Sequence, residues 1–265
     1  QAYQGESVLA GTVRTRTEVG SSIVKFPKLA AAQASERTPG AEVTAVGASF
    51  SQASVTLKDW SASEYSDIFN QAKVNFDERS ELAEMLGKSI ARRQDQVILD
   101  AMLAASAGST VANTVATSGS SAGDLDVGKI VEAGKLLSAK NVPMTDRHMV
   151  IHANNMASLL GDERAVSSDF IQLQGLARGE INQFAGFTIH MIGDRDEGGL
   201  NKDGSNDRTC FAWHKSSVGL AMGMNPKTEI NYVANRTSWL VTSMFSANGL
   251  VIDTDGLVDV ICRES

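Results

Sequence analysis

The sequence is poor in cysteine and proline, has no excess of positive charge and contains no long apolar run. Only Cys210 and Cys262 occur among its 265 residues. They lie far apart and match no metal-ligand or redox spacing, which excludes a disulfide-dense scaffold and a zinc module. Two free thiols are expected, although spacing alone leaves a disulfide between them open. Lys and Arg total 24 against 31 Asp and Glu, a formal charge of −7. That balance argues against a protein whose main task is to grip phosphates. No apolar run approaches the roughly eighteen residues of a membrane helix, and no secretion signal is recognised, so a cytosolic chain is expected. Four prolines stand against 23 glycines.

Catalytic signatures are missing as well. No G-x-S-x-G, P-loop or G-x-G-x-x-G occurs. His148 and His152 would share one face of a strand, but a zincin needs a helix and a glutamate after the first histidine, where Met149 stands. His190 and His214 fall at strand positions without Cys or Glu ligand spacing. Asp253-Thr-Asp255-Gly256 opens like a calcium loop, and Glu264 falls at its twelfth position. Leu257 and Val258 then occupy the fifth and sixth positions, where a ligand and a glycine are needed. Asn201-Lys-Asp203-Gly204 fits no better, and both stretches are expected to be turns. No catalytic, cofactor-binding or metal-ligating residue is nominated, and no cofactor is expected.

What the chain does have is one long amphipathic segment over 75–107. Leu82, Leu86, Ile90, Val97, Ala101 and Ala104 recur at helical spacing, interrupted near Arg93. Asp77, Glu78, Glu81 and Glu84 crowd its start and Lys88, Arg92 and Arg93 follow, which suits the helix dipole, and Glu84–Lys88 makes an i,i+4 pair. At 1.5 Å per residue it would be roughly 50 Å long, a spine for other elements to lean on. The chain is 42% hydrophobic, enough for one or two domains with a sizeable core.

Other elements are read in order. VRTRTEV at 13–19 alternates like a strand in an extended arm, and IVKFP at 23–27 reads as an edge strand stopped by its proline. Between 28 and 58, Ala, Ser, Thr, Val and Gly dominate, with Phe50 the only aromatic and Pro39-Gly40 a turn signal. That stretch is too poor in large apolar side chains for a core of its own, and reads as a two-stranded arm that packs on another subunit. Trp60, Tyr65 and Phe69 are expected to pin its base to the spine. A second helix is expected over 127–140, stopped by Asn141 and Pro143, then a strand over 148–152, a helix over 154–160 and a strand over 186–192. The loop 194–208 carries five acids and three bases. Strands follow at 210–213, 217–222, 228–233, 238–245, 250–252 and 257–262. The fold class is α+β, with helices segregated from antiparallel strands.

Four stretches in this order resemble the major capsid proteins of tailed bacteriophages, the Hong-Kong-ninety-seven-like fold, and most nearly T-seven-like podovirus coat proteins. They are VGSSIVKFPKLAAAQASERTPGAEV, DERSELAEMLGKSIARRQD, RHMVIHANNMASLLGDERAVSSDF with GEINQFAGFTIHMIGDR, and CFAWHKSSVGLAMG. The C-terminal VIDTDGL departs from the Arg-Pro-Glu-like strand start common in that family. The resemblance implies an N-terminal arm over 1–27, a projecting E-loop over 28–58 and a peripheral domain over 59–144 with the spine at 75–107. An axial domain over 145–215 and C-terminal strands over 216–265, returning to the peripheral domain, complete it. It also implies a non-enzymatic shell subunit of the virion, assembled in the host cytoplasm into pentamers and hexamers around double-stranded DNA. The expected partners are other copies of the chain, a portal, and scaffolding or decoration proteins, with the DNA held only weakly and no membrane. An acidic subunit suits DNA that must slide in and out. The alternatives are an encapsulin-type compartment shell and an unrelated α+β enzyme. Were the 194–208 loops to converge at a capsomer centre, their net charge of −2 per copy would repel, and divalent cations would strengthen the capsomer.

Overall fold

The computed structural model describes residues 7–264 except 19, 31, 35, 37, 41, 43–44, 46, 48, 106, 117–122, 162–182 and 196. Residues 167–184, which the sequence reads as mixed in character between the expected helix and strand, lie almost wholly outside the described residues. A short 3-10 turn (Ala10–Thr12) leads into β1 (Arg14–Thr17), β2 (Ile23–Leu29), β3 (Phe50–Thr56) and β4 (Lys58–Asp67). The one-turn α1 (Ile68–Gln71), the long α2 (Glu78–Ala104) and β5 (Ser109–Val111) follow, then α3 (Val127–Ala139), β6 (Arg147–His152) and α4 (Ala153–Gly161). Last come β7 (Gln183–Phe184), β8 (Phe187–Ile192), β9 (Asp207–His214), β10 (Val218–Val233), β11 (Ser238–Val251) and β12 (Leu257–Arg263).

Three sheets result. One has the order β1-β10-β11-β4, the second β5-β12-β9-β6-β8-β7, and β2 pairs only with β3. The expectation of antiparallel strands is corrected in part, because β1–β10, β5–β12 and β6–β8 pair in parallel. The two large sheets share one apolar core. Leu220, Phe245 and Ala247 of the first meet Met149, Phe211 and Val260 of the second in a single cluster that includes Ile98 and Met102 of α2.

Helix α2 spans 27 residues, about 40 Å rather than 50. Asp77 caps it by accepting from the Arg79 backbone N–H, which leaves residues 75–76 outside. At the other end the Gly108 N–H donates to the Thr254 carbonyl, and the chain turns into β5 instead of continuing the helix. Leu86, Ile90 and Val97 of the expected stripe are buried. Beyond Arg93 the buried set shifts to Ile98, Leu99 and Met102, away from Ala101 and Ala104, because here the helix is enclosed on more than one side.

The C-terminal strands also run longer than expected. The stretches 217–222 and 228–233 join in β10, and 238–245 with 250–252 in β11; register shifts at Met222/Met224 and Met224/Lys227 absorb Gly223 and Pro226. Proline does not stop β2 either. Pro27 lies opposite Gln52 and pairing continues to Leu29, which a strand with one unpaired edge tolerates. Helix α3 ends as expected, with Asn141 in the left-handed region (φ 58) and the Val142 N–H donating to the Leu137 carbonyl. Arg147 then bolts the turn, donating to the Pro143 and Val142 carbonyls at 2.8 and 2.7 Å.

Candidate functional site

Four places concentrate polar chemistry or uncovered apolar surface. The first is Asp95, a carboxylate completely buried in the middle of α2. It accepts from Ser7 Oγ at 2.7 Å and from the Val8 and Leu9 backbone N–H groups at 3.0 and 3.1 Å, and Arg195 lies 3.5 Å away. A single side chain thus ties the start of the described chain and the 194–208 loop to the spine. Its sequence context gave no hint of this, since an acid within a charged helix ordinarily faces water.

The second is the end of the chain. Glu264 is buried and accepts from Arg208 Nε and Nη2, at 2.5 and 3.2 Å, and pairs with Lys202 Nζ at 2.9 Å. Burial alone would raise its pKa, but Arg208 and Lys202 hold the carboxyl down at about 2. The calcium-loop resemblance ends here, because Glu264 neutralises cations and residues Thr254–Gly256 form a 3-10 turn capped by Asp253.

Four of the five acids of the 194–208 loop are engaged within their own subunit. Asp194 meets Arg208, Glu197 pairs with Arg93, Asp203 accepts from the backbone of Ser205 and Asp207, and Asp207 pairs with Arg263. Asp196 lies outside the described residues. Asp194, Glu197 and Asp207 thus each have a cation within their own subunit, which reduces the charge that is left to repel across copies.

The third place is a pair of histidines. His148 and His152 lie on one strand, as expected, but meet different groups. His148 Nδ1 lies 3.1 Å from His190 Nε2, with Trp213 alongside, whereas His152 is buried beside Glu264, Nδ1 to Oε1 3.4 Å. Burial, with the His190 charge adding to it, pushes His148 down to about 4; burial lowers His190 too. Both rings are neutral at pH 7, and one N–H···N hydrogen bond joins them. Among the described residues no group of three or more His, Cys, Asp or Glu could hold a metal ion. The two cysteines are free and buried, and they stand on the paired strands β9 and β12. Hydrogen bonding to Cys210, with burial, raises the Cys262 thiol.

The fourth is the β2–β3 hairpin with the groove beside its base. Alternation divides β2 cleanly. Val24 and Phe26 are fully buried against Ala221, Leu250 and Ile252, and Lys28 pairs with Asp253 at 2.9 Å. The opposite face carries Ile23, Lys25, Pro27 and Leu29, with Phe50 across from Leu29; Leu29 is 61% and Phe50 76% exposed. The hairpin therefore covers its own body with one side and leaves an apolar side uncovered. Its stem begins at Ile23, and its inner face has more anchoring side chains than the 28–58 composition indicated. Of the three aromatics expected at its base, Trp60 meets the spine, under the Arg93 guanidinium, and donates to the Ala247 carbonyl. Tyr65 sits under Arg236, and Phe69 is exposed. Between that base and β11 lies an open groove of about 720 Å³, lined by Leu57, Trp60, Met224, Met244 and Phe245 with Glu18 and Asp59 among its polar groups.

The comparisons agree with this architecture. A family model described as phage capsid protein matches residues 1–264. No curated protein matches the chain. Among solved structures it is similar to the capsid of cyanophage P-SCSP1u, at 17% identity and a TM-score of 0.74, covering 100% of this chain and 90% of that one. It is also similar to a structure from Mycobacterium phage Che8, at 17% identity and a TM-score of 0.71, covering 98% and 93%. A third is the head of Helicobacter pylori bacteriophage KHP40, at 9% identity and a TM-score of 0.77, covering 95% and 88%. A spine helix packed on β4, β10 and β11, a hairpin with an uncovered apolar side and a whole-length family match lead to one conclusion: the chain belongs to the phage capsid protein family and has the Hong-Kong-ninety-seven-like fold.

Proposed function

We propose that this chain is the major subunit of a closed icosahedral shell around double-stranded DNA, built from pentamers and hexamers of itself. The observation that carries the reading is the two-sided hairpin. Its inner face is fixed to its own body by Val24, Phe26 and Lys28, while Leu29 and Phe50 project largely uncovered by the described residues of their own subunit. Burying two such side chains is worth about 1–3 kcal/mol each. That is weak singly and strong when repeated around a closed shell. In this reading residues 1–27 are the N-terminal arm and 28–58 the E-loop. Residues 59–144 with α2 form the peripheral domain, 145–215 the axial domain, and 216–265 the strands that return to the periphery. The formal charge of −7 keeps DNA contacts weak and non-specific, so packaged DNA can move. A portal and scaffolding or decoration proteins are the further partners, and assembly takes place in the host cytoplasm. Sizing and electron microscopy of the concentrated purified protein test the proposal. Closed shells are expected, and compact monomers under every condition of salt and crowding overturn it.

A further inference from the structure

We propose that the polar cavity between β1, the turn after α3 and the β9–β10 turn is a seat for a single phosphate group, held by Arg14 and Ser217 and flanked by Lys28 and Lys140. The inference does not rest on the shell reading. The cavity measures about 330 Å³, at the small end of the range for ligand pockets. Three observations lead to it. The first is an unpaired donor. Ser217 is 5% exposed and lines the cavity, and its hydroxyl has no hydrogen-bond partner among the described residues. Its Oγ fills the space beside Gly256, which also lines the cavity. Such a donor is costly to bury unless water or a ligand meets it. The second is charge. Lys28 pairs with Asp253 at 2.9 Å and Lys140 with Asp255 at 3.0 Å, so those four wall charges cancel. Burial lowers His214, which is neutral at pH 7. Arg14 has no ion-pair or hydrogen-bond partner among the described residues, and its guanidinium stands 5.9 Å over the Phe26 ring. The cavity therefore keeps the positive charge of Arg14, which one phosphodiester neutralises. The third is the direction of the donors. Arg14 enters from β1, Lys28 from β2, Lys140 from the end of α3 and Ser217 from the β9–β10 turn. Each ammonium keeps donors beyond the one its carboxylate takes. Donors from four elements suit the tetrahedral oxygens of a phosphate better than the two coplanar oxygens of a carboxylate, and the Arg14 fork can take two of them. The phosphate is either free or part of a nucleic-acid backbone, and the test separates the two.

The test titrates inorganic phosphate into the dispersed subunit at constant ionic strength, read by the phosphorus NMR line width and by the melting temperature. Saturable broadening is expected, with a melting temperature that rises with phosphate and not with chloride. Arg14→Gln should weaken the affinity about tenfold, through the lost charge-assisted hydrogen bonds. Ser217→Ala should weaken it about threefold and leave the melting temperature without phosphate unchanged, because its hydroxyl has no partner in its own chain to lose. Lys25→Gln removes the same charge from the opposite, exposed face of β2 and should change nothing. Equal losses in Arg14→Gln and Lys25→Gln would mean a general effect of net charge and overturn the site. Acetate that stabilises as well as phosphate also overturns it, since the seat would then be one for carboxylates. So does the absence of saturable broadening in the parent. A short thymidine oligonucleotide without terminal phosphates that displaces phosphate from the parent and not from Arg14→Gln makes the nucleic-acid backbone the source; one that displaces none makes it free phosphate. Should Arg14→Gln not fold, Ser217→Ala with Arg14→Lys decides, the latter keeping the charge and losing the fork.

Discussion

At the scale of the residue, the informative groups are half-buried ionisable side chains whose surroundings the sequence did not reveal. His148 is one. His190, Asp146, Lys215 and His214 surround it, and its folded pKa of about 4 lies below the ordinary 6.5. A base with a depressed folded value contributes stability above its unfolded pKa and loses it as pH falls from 6.5 towards 4. His148→Gln should therefore flatten the fall in melting temperature between pH 7 and 4.5, and calorimetry across that range checks it. Asp259 titrates in the opposite sense. Burial pushes its carboxyl up to about 6, and one of its oxygens has no hydrogen-bond partner. A carboxyl with a raised folded pKa stabilises below its unfolded value, near 3.8, and loses that contribution as pH rises through 6. Asp259→Asn should thus raise the melting temperature by a few degrees at pH 8 and by almost nothing at about pH 3, below both values. Equal shifts at both pH values would show that the charge is not the cause.

At the scale of the element, the contact between α2 and β11 has little spare room. A Cβ on Gly249 would meet the Val97 carbonyl oxygen at 2.7 Å and the Ala101 Cβ at 2.9 Å. Both neighbours belong to a rigid helix that cannot swing aside as a flexible side-chain end can. Gly249→Ala should cost about 1–3 kcal/mol by overpacking. Urea unfolding of the dispersed subunit measures it, and a neutral result would show that α2 can slide over the sheet. The paired acid–base contacts of the 194–208 loop argue a second point at this scale. A segment whose composition is charged and glycine-rich is still fixed when Asp194, Glu197 and Asp207 each find a cation on a different element.

At the scale of the whole molecule, the hairpin separates folding from association. Removing residues 31–48 behind a short Gly-Ser bridge keeps both strands of the stem. The dispersed subunit should then melt as the parent does, while assembly weakens if the loop reaches a neighbour. Extending the deletion over 30–54 removes most of β3 and uncovers Val24 and Phe26, so the melting temperature should fall by several degrees. Thermal scans of both deletants beside electron microscopy distinguish the two effects. A long deletant as stable as the parent would mean that the inner face of β2 contributes nothing.

The sequence by itself determined the existence of α2, α3 and α4, the C-terminal stop of α3, and the existence of an arm poor in large apolar residues. These follow from local periodicity and capping, which residues a few positions apart impose on one another. It could not determine how far the strands run. Joining 217–222 to 228–233 in β10 depends on pairing with β11, and that partner absorbs Gly223 and Pro226 in register shifts that neither strand reveals alone. Nor could it distinguish Asp95 from its exposed acidic neighbours on α2, because its partners Ser7, Val8 and Leu9 lie more than eighty residues away. The division of the hairpin into a covered and an uncovered face was likewise decided only in three dimensions. Alternation placed Phe26 and Leu29 on opposite sides of β2, but which side is buried depends on where Ala221, Leu250 and Ile252 come to rest, and only the packed core places them.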